Sequence, residues 1–164
     1  MAGKPFKDES FKFYINHVQV SAPWHDPLLN TMNFLKYDAM TLGNHDLEMP
    51  KEKLIWRMKE SSFPWLGANV QQEPEDSNHS LRLDPYKLLE RNGVRIGILG
   101  MTTPGIHIWL DSPKLKGFSF QDILSSSRKW VSVLKNQEKF DLLIGLYHSG
   151  GDMDYDEKNC PQTW

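Results

Sequence analysis

The chain has 164 residues, 39% hydrophobic and 24% charged, which is ordinary globular composition of a length that suits one domain. Nineteen basic against twenty-one acidic residues leave a net charge of -2, so nothing favours a nucleic-acid polymer as partner. No run approaches the roughly 18 apolar residues that a membrane span needs, and the polar start MAGKPFKDES has no signal-peptide core.

In chain order, Asp26-Pro27 opens a helix: Asp26 suits the cap, Pro27 the first turn, and Leu28, Leu29, Met32 and Leu35 recur at helical spacing. Tyr37 to Leu42 reads as a short buried strand. Pro50 starts a second helix with Leu54, Ile55 and Met58 on one face. "FPWLGANV", Phe63 to Val70, reads as another strand, and residues 71–80 as a polar loop. Asn92-Gly93 between two apolar runs predicts a two-residue hairpin with both residues at positive φ. Ser119 to Asn136 is expected as a long helix capped by Ser119, with Gln121 and Asp122 in its first turn and Ile123, Trp130, Val131 and Leu134 on its inner face. Phe140 to Tyr147, "FDLLIGLY", reads as a strand buried on both faces. Beyond Ser149 the pattern ends. Strands that alternate with helices, plus one hairpin, predict an α/β fold with a mixed sheet.

In such folds the carboxyl ends of strands carry function. Two polar segments occupy such ends: Gly43-Asn44-His45-Asp46, and His148-Ser149-Gly150-Gly151-Asp152. Asn44 offers a neutral oxygen donor to a cation, and His148 a nitrogen donor suited to Zn, Mn or Fe. His45 can exchange a proton near neutrality, with Asp46 and Glu48 at hand to orient it. Gly150 and Gly151 permit close backbone approach. Together these are parts of a metal-assisted phosphoester hydrolase. Residue types alone favour the plainer reading of each part: a turn whose side chains satisfy one another, and a structural histidine at a strand end. His17, His25, His79 and His107 have no metal-ligand partners at useful spacing, and Cys160 lacks an activating context.

Around "YDAMTLGNHDLE" the sequence resembles the calcineurin-like metallophosphoesterases, in the branch of 5'-nucleotidases and 2',3'-cyclic-nucleotide phosphodiesterases. Gly43-Asn44-His45-Asp46 matches the GNH[ED] motif. "LGANV" (Leu66 to Val70), "GMTTPGIHIW" (Gly100 to Trp109) and "GLYHSG" (Gly145 to Gly150) are similar in the same order, so the resemblance spans about residues 25–152. It implies an αββα sandwich, two divalent cations (Mn, Zn or Fe), and a nucleotide or other small phosphoester as substrate. It implies metal-ligand roles for Asn44 and His148, transition-state or leaving-group stabilisation by His45, orientation of His45 by Asp46, and a supporting contact from Glu48. It also implies a periplasmic or cell-surface location, with any signal upstream of Met1.

The departures are specific. The family's opening Asp-x-His motif and its final Gly-His-x-His do not occur in these 164 residues, and no Gly-Asp pair that could carry the metal-bridging Asp precedes Asn44. Gly3-Lys4-Pro5 is similar to the segment that follows the Gly-Asp pair. The expectation is therefore an internal piece of the catalytic domain, residues 1–164, without the C-terminal substrate domain and nearly inactive by itself. Asp152 and Asp154 are the candidates to replace missing carboxylates, although acidic residues in a tail are more often solvated. The alternative is a non-catalytic α/β module that binds nucleotides or a partner without a metal centre.

Overall fold

The structure, a computed structural model, describes residues 26–73, 80–110 and 115–150. Helix α1, Pro27–Phe34, starts as its sequence dictates: Asp26 Oδ1 accepts the Leu28 and Leu29 N–H groups at 3.0 and 3.2 Å, and Pro27 occupies the first turn. It ends at Lys36, which takes φ 56° while the Lys36 and Tyr37 N–H groups donate back to Asn33 and Met32. Strand β1, Met40–Thr41, follows, then a 3-10 turn, His45–Glu48, and α2, Lys51–Glu60. Leu54 and Ile55 bury the inner face of α2, with Met58 packed beside them. Asn33 joins the two helices: its Nδ2 donates to Glu60 O at 2.9 Å and its Oδ1 accepts Ser62 N–H at 2.8 Å, so one amide serves the carboxyl end of α2.

Next come β2, Trp65–Leu66; β3, Val70–Gln72; β4, Leu83–Asp84; β5, Tyr86–Arg91; β6, Val94–Thr102; α3, Ile106–Trp109; β7, Phe118–Phe120; α4, Ile123–Gln137; and β8, Leu142–His148. They form three sheets. β1-β2-β4 is parallel, β3-β7 is antiparallel, and β5-β6-β8 is mixed, with β5 antiparallel and β8 parallel to β6. The α/β class and the mixed sheet expected from the sequence are present. So is the hairpin: Asn92 (φ 52°) and Gly93 (φ 81°) join Arg91 to its ladder partner Val94.

Four expectations change. The strand expected from Tyr37 to Leu42 narrows to Met40–Thr41, because only there does the backbone run beside β2; bonds from Met40 N to Pro64 O and from Leu42 N to Leu66 O extend the pairing at each end. The single strand expected from Phe63 to Val70 splits at Gly67-Ala68-Asn69, where Val70 N–H turns back to Gly67 O. Ser119 lies in β7 opposite Gln71, since Phe118 and Phe120 alternate at strand period; Asp122 is the cap of α4, accepting Ser125 N–H at 2.7 Å. Finally, β8 is not buried on both faces. Among the described residues it pairs with β6 alone, and Leu142 and Ile144 are 48% and 39% exposed.

The core gathers Leu29, Leu42, Leu47, Leu54, Trp65 and Ile106 from α1, the β1 end, the 3-10 turn, α2, β2 and α3. Each such side chain contributes about 1.5–3 kcal/mol on removal from water. β2 packs against β6 at Gly100, where an added Cβ would overlap Leu66 Cβ. Asn69, 1% exposed, closes the joint with the β3-β7 ribbon: Nδ2 donates to Thr102 O (2.7 Å) and Gln121 O (2.9 Å), and Oδ1 accepts Thr102 N–H (2.9 Å).

Candidate active site

β1, β6 and β8 pack together and end on one side of the molecule. Threonines tie those ends. Thr41 Oγ1 donates toward Leu66 O and Met101 O, each at 3.2 Å, and the Thr102 hydroxyl donates to Leu42 O. Thr102 lies opposite His148 in the ladder, and Thr103 N–H donates to His148 O at 2.8 Å. The residue after Leu42 is therefore delivered beside the last residue of β8. That residue is Gly43, and the His148 ring lies against it so closely that an added Cβ would meet ring atoms at 3.1–3.3 Å. One residue on, Asn44 Oδ1 is 2.7 Å from His148 Nε2. Two side chains 104 positions apart in the sequence meet at hydrogen-bond distance.

His45 opens the 3-10 turn with its side chain 75% exposed, and its Nδ1 is 2.8 Å from Glu48 Oε1. Facing a carboxylate acceptor, Nδ1 carries the proton and Nε2 is left outward. Of the two carboxylates expected at hand to orient His45, Glu48 pairs with it, whereas Asp46, which the resemblance implies for that role, does not. In a 3-10 turn residues i and i+3 eclipse, which brings Glu48 under His45. Asp46 turns inward: Oδ2 accepts Gly43 N–H at 2.9 Å, and Oδ1 is 3.6 Å from Arg57 Nη1. Burial pushes the Asp46 carboxyl above its ordinary value of 3.8; the Gly43 N–H and the charges of Arg57, His148 and His45 pull against that rise.

Two contributors carry no role in the sequence pattern: Arg57, and the Thr102-Thr103 pair, which lies in the "GMTTPGIHIW" block without an assigned task. Arg57 interrupts the apolar face of α2, a cation where a hydrophobe is expected, and that was the available signal. His107 lies exposed in α3. His17, His25, His79, Gly151, Asp152, Asp154 and Cys160 lie outside the described residues.

An amide oxygen and an imidazole nitrogen that converge suit a divalent transition cation. A hydrolytic centre uses at least three protein ligands, however, and among the described residues no group of three or more His, Cys, Asp or Glu side chains could hold a metal ion. The described residues fit one side of a coordination shell and do not close it. No helix among them is long and apolar enough to cross a membrane.

No protein-family model matches the chain. A 5'-nucleotidase of Vibrio cholerae is 32% identical over 126 residues, 76% of this chain and 22% of that protein. The trifunctional nucleotide phosphoesterase protein YfkN of Bacillus subtilis is 30% identical over 154 residues, 90% of this chain and 10% of that protein. The crystal structure of the calcineurin-like phosphoesterase YfkN from Bacillus subtilis aligns with a TM-score of 0.68 and 31% identity, over 91% of this chain and 46% of that one. The chain thus spans about a fifth or less of the length of these two curated relatives.

Proposed function

The chain belongs to the calcineurin-like phosphoesterases, in the group that contains the 5'-nucleotidases, and we propose that it is part of the catalytic domain of a metal-dependent hydrolase of nucleotide phosphoesters. One observation carries this reading: the strand ends bring Asn44 Oδ1 within 2.7 Å of His148 Nε2, beside the exposed imidazole of His45. Asn44 and His148 would hold one divalent cation, Mn, Zn or Fe, and the rest of a two-metal centre would come from residues outside the described ones. Cations bound there would supply an activated water and offset the charge of the phosphate.

The chain's own groups have distinct tasks. Glu48 accepts the Nδ1 proton of His45 and so fixes the ring with Nε2 toward solvent, where a phosphoester oxygen can approach it. His45, protonated, would donate to the leaving group or to the developing negative charge. Asp46 reaches neither ring nitrogen by a hydrogen bond; it holds the Gly43 N–H and so shapes the turn from which Asn44 and His45 project. The substrate class is a nucleotide or another small phosphoester, and the site of action the periplasm or cell surface.

The test is phosphate release from 5'-nucleotides, 3'-nucleotides and 2',3'-cyclic nucleotides with Mn²⁺ or Zn²⁺. A longer protein that contains this chain is expected to turn over at least one class, and to lose that activity with chelator or with His45→Ala. Absence of metal-dependent release from all three would refute the reading. The isolated chain is expected to be nearly inactive, since the described residues supply two donors and two donors do not retain a cation. The same shortage favours one other reading, a module that binds nucleotides without hydrolysing them. Heat released on titration of a nucleotide in chelator, with no turnover under any metal, would select it.

A further inference from the structure

We infer that Arg57 is a positioning residue: its buried guanidinium fixes Asp46, and through Asp46 the Gly43-Asn44 turn that faces His148. Arg57 lies on α2 with its side chain only 11% exposed, and a guanidinium at that depth is retained where its charge is met. Two carboxylates meet it. Nε is 2.8 Å from Asp26 Oδ2, a charge contact without hydrogen-bond alignment, and Nη1 is 3.6 Å from Asp46 Oδ1. The Trp65 ring lies 5.8 Å from Cζ and covers the group. Both carboxylates are about four-fifths buried, and each uses its other oxygen on backbone. Asp26 Oδ1 caps α1 through Leu28 and Leu29, while Asp46 Oδ2 holds Gly43 N–H. Arg57 is thus the middle of a relay from the start of α1 to the turn after β1.

The end of that relay is where position matters. Gly43 is the residue on which the His148 ring rests, and Asn44 follows it directly. Without the guanidinium, Asp46 would be an unpaired buried carboxylate and would swing toward solvent, releasing Gly43 N–H. The separation of Asn44 Oδ1 and His148 Nε2 would then widen, although neither side chain had been altered. Lysine cannot substitute fully, because one ammonium does not address two carboxylates on different sides as a planar fork does.

The bearing of this relay on catalysis rests on the hydrolase reading above; the relay itself does not, and its test needs neither metal nor substrate. In the full chain, Arg57→Met is expected to speed hydrogen exchange at the Gly43 amide by about tenfold or more, as a local opening, while the Asn92-Gly93 hairpin amides keep their rates. The ¹⁵N signal of His148 Nε2 should shift as its contact with Asn44 is lost. Arg57→Lys should restore part of both effects, which a role in packing alone would not reproduce with charge. A folded Arg57→Met chain with wild-type Gly43 exchange and an unchanged His148 signal would overturn the inference. If Arg57→Met does not fold, Arg57→Lys and Asp46→Asn decide it: faster Gly43 exchange in both supports the relay, and wild-type exchange in both removes it.

Discussion

The two strands that end at the candidate site are held in opposite ways. β1 is two residues long, yet its continuation is locked into the core: Leu42 is fully buried, its carbonyl takes the Thr102 hydroxyl, and the turn beyond it is pinned by Asp46 and Arg57. β8 is seven residues long with an unbroken ladder to β6, yet Leu142, Ile144 and Tyr147 stay open to solvent. Ladder length and burial are independent here. Strand hydrogen bonds set register, and burial supplies most of the free energy. Asn44 therefore projects from the better-buried support and His148 from the more exposed one, so destabilising the first should cost fold and site together.

The largest break in this contrast is expected at Gly100. Gly100→Ala drives a Cβ into Leu66 on the buried side, and should cost about 3 kcal/mol or prevent folding, read from the urea midpoint. The contrast is sharpened by a matched pair. Leu66→Ala, from a side chain with no exposure, should cost about 3 kcal/mol, whereas Ile144→Ala on β8 should cost under about 1 kcal/mol. Equal losses would mean that β8 is as well buried as β2. The smallest effect belongs to Asp122, which lies outside both regions and controls for them. The Ser125 N–H, and after it the Ser125 hydroxyl, holds the Asp122 carboxyl below its ordinary 3.8. A carboxylate lowered in the folded state stabilises fully above pH 3.8 and loses that contribution as pH falls through its folded value. Asp122→Asn should flatten the acid limb of a Tm-against-pH curve slightly and leave neutral pH almost unaffected.

What the sequence made legible was local or came in ordered blocks. Asp26-Pro27 and Asn92-Gly93 announce their structures because each turn needs those residue types at those positions. Asn44 and His148 stand out in the sequence as strand-end polar groups, and the packing of β1 against β6 and β8 brings them together. Failures came where one residue obeys a distant partner. Ser119 suits a cap by residue type, and only the pairing of Phe118–Phe120 with β3 shows that it is spent in a strand and that Asp122 caps the helix. The apolar run in β8 counts hydrophobic residues but not what covers them. The resemblance gives Asp46 to His45, while the competitor for its carboxylate, Arg57, sits eleven positions on in a helix. Charge pairs of that kind leave no periodicity to read.

Asn69 has one more consequence. A primary amide offers the same donor and acceptor as a peptide unit, and Asn69 spends it like one, as an extra rung between Thr102 and Gln121. Aspartate has nearly the same shape but no donor. Were that amide hydrolysed, its nitrogen would become an oxygen facing two carbonyl oxygens at contact distance. The seam would keep every surface it has and lose the polarity that closes it, so the chemical ageing of one side chain would act on the fold as a change of sign.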